Sequence, residues 1–344
     1  MSFRKKNILF ISVKTFNYEK YIYEKLLELG AEVDFFNERP GDSIFIKGII
    51  RLKKNILITL IDNYYTHILL KIDTKKYDYL FVIKGEVVPT NFLREFKKRN
   101  PQATTIYYTW DSFENNPNGF MNLDFYDKKF TFDKCDSQKF NISFRPLFFL
   151  DKYYSIKDLN FNSITPNLLF IGTAHSDRYV ISQNLNNWCK KNNFKFYTYY
   201  YIPSVFVFIF KYFFDKTFSK FNFKSLSFRS LSIDEVVSLY KNATIVLDIN
   251  HPGQSGLTMR TFETLGSGRK LITTNLNIKK YSFYNENNIL VINRQQLDFP
   301  KEFMELPYLS YDNVFYKKMS LEGWLNSVFI EDNEDFWFSK NINQ

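Results

Sequence analysis

Arg260 and Glu263 stand three residues apart in the segment LDINHPGQSGLTMRTFETLGSGRKLITTN, residues 247–275. On a helix that spacing puts both side chains on one face. The loop before them holds Pro252, Gly253 and Gly256, which break a strand ladder and allow tight turns. A helix expected to begin near Leu257 aims its free amides and the positive end of its dipole out of that loop, a seat for a phosphate. Ser255 and Thr258 add hydroxyl donors. A carboxylate at Glu263 can accept hydrogen bonds from a ribose diol while Arg260 neutralises phosphate charge. The same residues also suit a plain helix with an i,i+3 salt bridge and a glycine turn for close packing. The pattern alone leaves both readings open.

Other side chains with chemical capacity are few. His251 follows the run TIVLDIN (244–250) and precedes Pro252, which holds its backbone extended. It either faces a ligand or fixes the loop. His67, His175 and His251 are the only histidines and show no ligand spacing, so no structural zinc or histidine metal centre is expected. Cys135 and Cys189 lack C-x-x-C spacing and read as free thiols of a reducing compartment. The stretch YIPSVFVFIFKYFFDKTFSKFNFKSLSFRS (201–230) joins an aromatic run to Lys211, Lys216, Lys220, Lys224 and Arg229. Too short to span a bilayer, it fits an anionic membrane surface or, alternatively, a core helix followed by a basic loop.

Short apolar runs alternating with helical periods must position these groups. NILFISV (7–13), AEVDFF (31–36), YDYLFVIKGE (77–86), TTIYYTWDS (104–112) and KKFTFDKCDS (128–137) read as strands. Between them, 18–30, about 46–71 and 91–100 carry helical spacing. After a lapse at 146–166 the alternation restarts. Strands are expected within 167–178, FKFYTYYYI, TIVLDIN and NILVINR (288–294), with a last helix at 320–329 that has Ser320 as its N-cap. Repeated βαβ units make two α/β domains with parallel sheets, whose ligands belong beyond the carboxyl ends of the strands.

The 344 residues suffice for two domains, and a 45% hydrophobic fraction excludes a disordered chain. The net charge of +10 favours an anionic partner, yet no nucleic-acid motif is present and no nucleic acid is expected. The N-terminal MSFRKKNILFISV reads as a first strand and not as a signal peptide. A cytoplasmic protein, peripheral at the inner face of the cytoplasmic membrane, is the expectation.

The 247–275 segment resembles the donor-binding segment of GT-B glycosyltransferases, in which a Glu on this helix binds the nucleotide's ribose. With FYNENNILVI and SLEGWL downstream, it is similar more narrowly to bacterial capsular, exopolysaccharide and lipopolysaccharide-core biosynthesis proteins. The similarity covers about 228–330; the first half is alike mainly in architecture and in YYTWDS and FTFDKCDS. The resemblance implies two Rossmann-like domains whose sheets face across a cleft. They would be an acceptor domain (1–150), a linker (151–166), a nucleotide-sugar domain (167–319) and a C-terminal helix (320–344) packing back on the first domain. It implies transfer of a sugar from a nucleotide-sugar, as co-substrate, to a cell-surface glycan or lipid-linked acceptor. A nucleotide-sugar epimerase or a non-catalytic glycan-assembly protein on the same fold are the alternatives.

The same resemblance distributes roles. The turn FIGTAHSDR faces the donor's diphosphate, with Gly172 allowing close approach, Thr173 donating, and His175 or Arg178 meeting charge. Many retaining relatives carry two glutamates eight residues apart; here Glu263 holds the second place, but Ser255 stands at the first, leaving the donor sugar and the stereochemistry open. An inverting transfer needs a base for the acceptor hydroxyl. The candidates are Glu86, Asp111, Asp133 and Asp136. Asp111 is preferred because Trp110 beside it offers a sugar-stacking surface, although Asp111 also suits a turn cap. No D-x-D triplet occurs, which argues against the metal-dependent GT-A class, so no metal is expected.

Overall fold

The structure, a computed structural model, describes residues 3–41, 50, 54–159, 167–215, 218–331 and 334–338. The chain divides into two compact units, Met1–Pro146 with Leu321–Glu334, and Leu147–Ser320 with Asp335–Gln344. Both are three-layer α/β units.

The first unit is built on β1 (Asn7–Ser12), β2 (Glu32–Asn37), β3 (Tyr79–Ile83), β4 (Thr104–Thr109), β5 (Lys128–Thr131) and β6 (Ser143–Phe144). They form one sheet in the order β2-β1-β3-β4-β5-β6, every pair parallel. Strands covered on both faces read as continuous apolar runs; Leu80, Phe81, Val82 and Ile83 are fully buried. The helices Tyr18–Glu28, Ile58–Lys71 and Thr90–Arg99 make the crossovers. Most of the helical stretch expected between 46 and 57 lies outside the described residues.

One expected strand is shorter than its sequence pattern. KKFTFDKCDS extends only to Thr131, because Asp133 caps a helix, Lys134–Phe140. Its carboxylate accepts from the amides of Cys135 at 2.9 Å and Asp136 at 3.3 Å. Local side-chain capping overrides the β-like alternation there.

The second sheet comprises β7 (Asn167–Thr173), β8 (Lys195–Tyr201), β9 (Leu226–Ser227), β10 (Ile245–Asp248), β11 (Lys270–Thr273) and β12 (Ile289–Val291). Its order is β12-β11-β10-β7-β8-β9, again wholly parallel. This is the doubly wound Rossmann order, with the reversal between β7 and β10. The helix Ile233–Lys241 feeding β10 starts with a complete capping box between Ser232 and Glu235. The expected linker contains a helical turn, Asp151–Tyr154, whose Tyr153 stacks edge-on against Tyr240 in the second unit; 160–166 lie outside the described residues.

The helix Leu321–Phe329 belongs to the first unit. Its Trp324 is buried, 4.7 Å from the Tyr108 ring and 5.8 Å from that of Phe81. Phe329 meets Phe81 at 5.0 Å and Phe3 at 4.9 Å. The Ser320 hydroxyl before it donates to the Lys317 carbonyl at 2.8 Å. Two aromatic anchors therefore make the C-terminal helix part of the first unit's core. Trp324→Ala should destabilise that unit by about 3–5 kcal/mol, measured by urea denaturation; a loss below 1 kcal/mol would contradict this packing.

Candidate functional site

The fork between β7 and β10 is where an open parallel sheet of this order offers a ligand crevice. Arg178, first residue of the helix Arg178–Lys191, bridges that fork. Its Nη1 donates to the Thr173 carbonyl at the end of β7, 3.0 Å away, and its Nε to the Ile249 carbonyl just past β10, at 2.9 Å. A Cβ on Gly172 would come within 2.9 Å of Phe170 and 3.3 Å of the Arg178 guanidinium. Glycine at 172 thus seats Arg178 and Phe170. Burial lowers Arg178 to about 10; Asp248 opposes that shift, and the charges of Arg260 and Arg294 reinforce it. It remains a cation at neutral pH.

Arg260 reaches the same place from the other side. Its Nη2 donates to the Ile171 carbonyl of β7 at 3.2 Å, and its Nη1 to Tyr240 Oη at 3.3 Å and Glu263 Oε2 at 3.2 Å. The Glu263 side chain is only 3% exposed and that of Arg260 21%. The i,i+3 ion pair read as one alternative is therefore formed. A ligand hydroxyl reaching Glu263 has to share it with Arg260.

The helix carrying both starts at Met259, two residues later than expected, because Leu257 is buried and Thr258 is the N-cap residue. The Thr258 hydroxyl does not cap the helix. It donates to Asp248 Oδ2 at 2.6 Å, and Thr261 donates to the same oxygen at 3.0 Å. The carboxylate at the end of β10 thus ties down the first turn and leaves the leading amides without a side-chain cap.

The tight turn expected at Pro252 and Gly253 forms, closed by the Gln254 amide donating to the His251 carbonyl at 3.0 Å. Gly253 and Gly256 have no left-handed backbone; in this segment only Gly268 does, at φ 67°. A side chain there would sit 2.8 Å from the Lys157 carbonyl, and one at Gly266 would collide with Phe149. Arg269 is buried beside them, donating to the carbonyls of Tyr240 at 3.1 Å and Ile156 at 3.1 Å. The Gly-Ser-Gly-Arg turn is packing.

The loop 250–256 is held by amides. Asn275 Nδ2 donates to the carbonyls of Ser255 at 3.2 Å and Gly256 at 3.1 Å. His251 is exposed; its Nδ1 accepts from the Gly253 amide at 3.3 Å, and its ring lies 5.7 Å from that of His175. His175 is pushed down to about 3, first by burial and then by the charges of Arg178, Lys211 and His251, with Asp215 opposing. It stays neutral at physiological pH and can donate or accept only as an imidazole.

Sequence reasoning missed Arg294, Asp177, Asn250 and Asp248. Arg294 Nη1 contacts both Asp177 oxygens at 2.7 Å. Its Nη2 donates to the Asn250 carbonyl at 2.5 Å and to Asn250 Oδ1 at 2.8 Å. The signal was present: Arg294 follows β12, and Asp248 ends β10. The fork thus gathers Arg178, Arg260 and Arg294 with two helix starts against Asp177, Asp248 and Glu263. Among the described residues no group of three or more His, Cys, Asp or Glu is placed to hold a metal ion.

The acceptor and base candidates lie in the first unit. Asp111 Oδ2 is 2.8 Å from Lys84 Nζ, and Asp111 and Trp110 are partly exposed. Glu86 is buried, 2.5 Å from Arg39 Nη2 and 3.8 Å from Lys84 Nζ, which commits it to an ion-pair network. Asp133 is occupied as a helix cap, and Asp136, raised by burial, accepts from the Phe113 amide at 2.8 Å. Asp111 and Asp136 are both partly exposed, and Asp111 is paired with Lys84. Lys84 and Gly85 have φ of 82° and 63°, and a Cβ at Gly85 would lie 2.6 Å from the Tyr107 ring. That turn aims Lys84 at Asp111. Glu38, also missed, is buried beside this network; burial and then the Glu86 charge raise it to about 7, although the Val87 amide donates to it at 2.7 Å.

The fold is that of known proteins. An α-glucosyltransferase solved with UDP and a 13-mer DNA aligns over 94% of this chain and 95% of its own, at 12% identity and a TM-score of 0.54. The lipopolysaccharide outer core galactosyltransferase WaaB aligns over 94% and 98%, at 12% identity and a TM-score of 0.52. HepE of Anabaena, solved with UDP and glucose, aligns over 93% and 98%, at 8% identity and a TM-score of 0.52. The chain therefore has the GT-B fold. No family profile and no curated protein sequence matches it.

His175 gives this site a pH signature. Its folded value lies below the unfolded one, so the unfolded chain binds the extra proton and stability falls as pH drops from about 6.5 towards 3. His175→Gln should flatten that decline by up to about 1.4 kcal/mol per pH unit. Urea denaturation at pH 7, 6 and 5 measures it; parallel curves for the two proteins would refute the buried neutral imidazole.

Proposed function

We propose that this chain is a metal-independent glycosyltransferase of the hexosyl-transferring type. It moves a sugar from a nucleotide-sugar to a cell-surface glycan or lipid-linked acceptor in capsule, exopolysaccharide or lipopolysaccharide synthesis at the cytoplasmic face. The observation that carries this reading is the fork itself. Arg178 bridges β7 and β10, and Arg260 reaches β7 beside it, at the carboxyl edge of a Rossmann-ordered sheet.

When the bond from the anomeric carbon to the diphosphate breaks, negative charge grows on the leaving phosphate oxygen. Fixed guanidinium groups and uncapped amides aimed at that oxygen stabilise it with little reorganisation. Crowded, desolvated arginines favour an anion in the same way, since burial first and then the charges of Arg260 and Arg294 lower Arg178, and a diphosphate offsets both. Glu263 takes the ribose hydroxyls, sharing its carboxylate with Arg260. Ser255 meets the donor sugar with a hydroxyl in place of the glutamate of many relatives. In an inverting reaction Asp111 takes the acceptor proton, with Trp110 beneath the sugar ring; a retaining reaction needs no such base.

The α-glucosyltransferase and HepE were both solved with UDP, so UDP-sugars come first in a thermal-shift screen that also includes GDP-, dTDP- and CMP-sugars. At 100-fold excess over its Kd the true donor should stabilise the wild type by about 2.7 kcal/mol. Arg260→Ala should lose most of that gain, and Glu263→Gln part of it. If no nucleotide-sugar raises the melting temperature, the transferase reading fails. Epimerised nucleotide-sugar formed without acceptor would replace it with an epimerase.

A further inference from the structure

The helix Val205–Phe214, VFVFIFKYFF, contains no buried residue, although nine of its ten residues are apolar or aromatic. Phe206 is 85% exposed, Phe210 63%, Phe213 75% and Phe214 77%. A helix on a protein surface normally turns its polar side outward. Here Val207 and Phe208 pack inward onto the second unit's core, and the Phe208 ring meets Phe218 at 5.6 Å and Phe223 at 5.0 Å. Ser204 caps the start, accepting from the Val207 amide at 3.2 Å. The helix is anchored, and its outward side is the apolar one. The alternative of a core helix is thereby overturned.

We propose that this helix seats the second unit on an anionic bilayer surface, lying in the plane of the membrane with Phe206, Phe210 and Phe213 at the level of the acyl chains. Charge selects that occupant. Lys220 and Lys224 follow the helix, are exposed, and make no ion pair among the described residues, whereas Arg229 is taken by Glu235 at 2.7 Å. Free lysines beside exposed aromatic rings match lipid phosphates next to hydrocarbon, and the chain's net charge of +10 adds long-range attraction. Lys216 lies outside the described residues.

Size argues the same way. A ten-residue helix is about 15 Å long and roughly 10 Å wide, a footprint far below the approximately 800 Å² per partner of a stable dimer. It is likewise too short to cross a bilayer, and no helix among the described residues is long and apolar enough to do so. This inference does not depend on the transfer reaction, since it rests on the exposed rings and lysines; at its inner side the same helix borders the fork, where Lys211 Nζ donates to the Ala174 carbonyl at 3.5 Å.

The test is co-sedimentation of the full chain with vesicles of phosphatidylcholine alone and of phosphatidylcholine with 30% phosphatidylglycerol. The wild type should partition onto the anionic vesicles and more weakly at 0.5 M than at 0.1 M salt. The combined variant Phe206→Ser, Phe210→Ser, Phe213→Ser should lose at least tenfold in partitioning with an unchanged melting temperature. A separate Phe210→Trp variant reports insertion in the otherwise native chain, through a blue shift of its emission on anionic vesicles. Absence of wild-type partitioning, equal partitioning of the triple variant, or no blue shift would each overturn the proposal. So would a wild-type dimer that ignores vesicles and that the triple variant dissociates, which would make the occupant a second copy of the chain.

Discussion

A guanidinium drawn into a protein needs acceptors, and the fork of a parallel sheet supplies them. Strands β7 and β10 leave the sheet in the same direction, so their last carbonyls point into one crevice with no further ladder to satisfy them. Arg178 takes the carbonyls of Thr173 and Ile249 there. It thereby couples the start of its helix to the ends of both strands. Gly172 exists in that form because a side chain would displace the guanidinium or Phe170. Arg260, Arg294 and Asp248 are arranged around the same point, and with Glu263 and Asp177 they balance three guanidinium groups against three carboxylates.

That engagement gives the site its chemistry. Asp248 is occupied by two threonine hydroxyls and Asp177 by Arg294. Glu263 shares its carboxylate with Arg260. Three guanidinium groups and three carboxylates meet at the crevice, with two helix starts beside them. The imidazole of His175 cannot contribute charge, because burial among cations keeps it neutral.

The first unit holds a different kind of constraint. Glu38, Arg39, Lys84 and Glu86 are all buried at the carboxyl side of its sheet. Removing any one partner would strand a charge in low dielectric, so the network is rigid by necessity. Its one outlet is Lys84, turned by a left-handed backbone towards the partly exposed Asp111. A carboxylate positioned this way is set by its neighbours more than by its own turn.

The sequence by itself determined the two βαβ series, the parallel sheets and the segment that carries the site, because apolar periodicity and turn residues are local signals. Arg260 beside Glu263 and the strand-end position of Asp111 were legible for the same reason. Tertiary structure alone decided which glycines pack and which turn, for a Cβ collision depends on a distant Phe149 or Lys157. It decided that Asp133 caps a helix and that Glu86 is buried with Arg39, assignments that capping geometry and burial make and spacing does not. It also recruited Arg294 and Asp177, 117 residues apart in the chain, into one ion pair at the crevice. The outward side of Val205–Phe214 was settled in the same way. An apolar run in the sequence records only composition, and only packing shows which of its residues find a neighbour and which are left to meet something else.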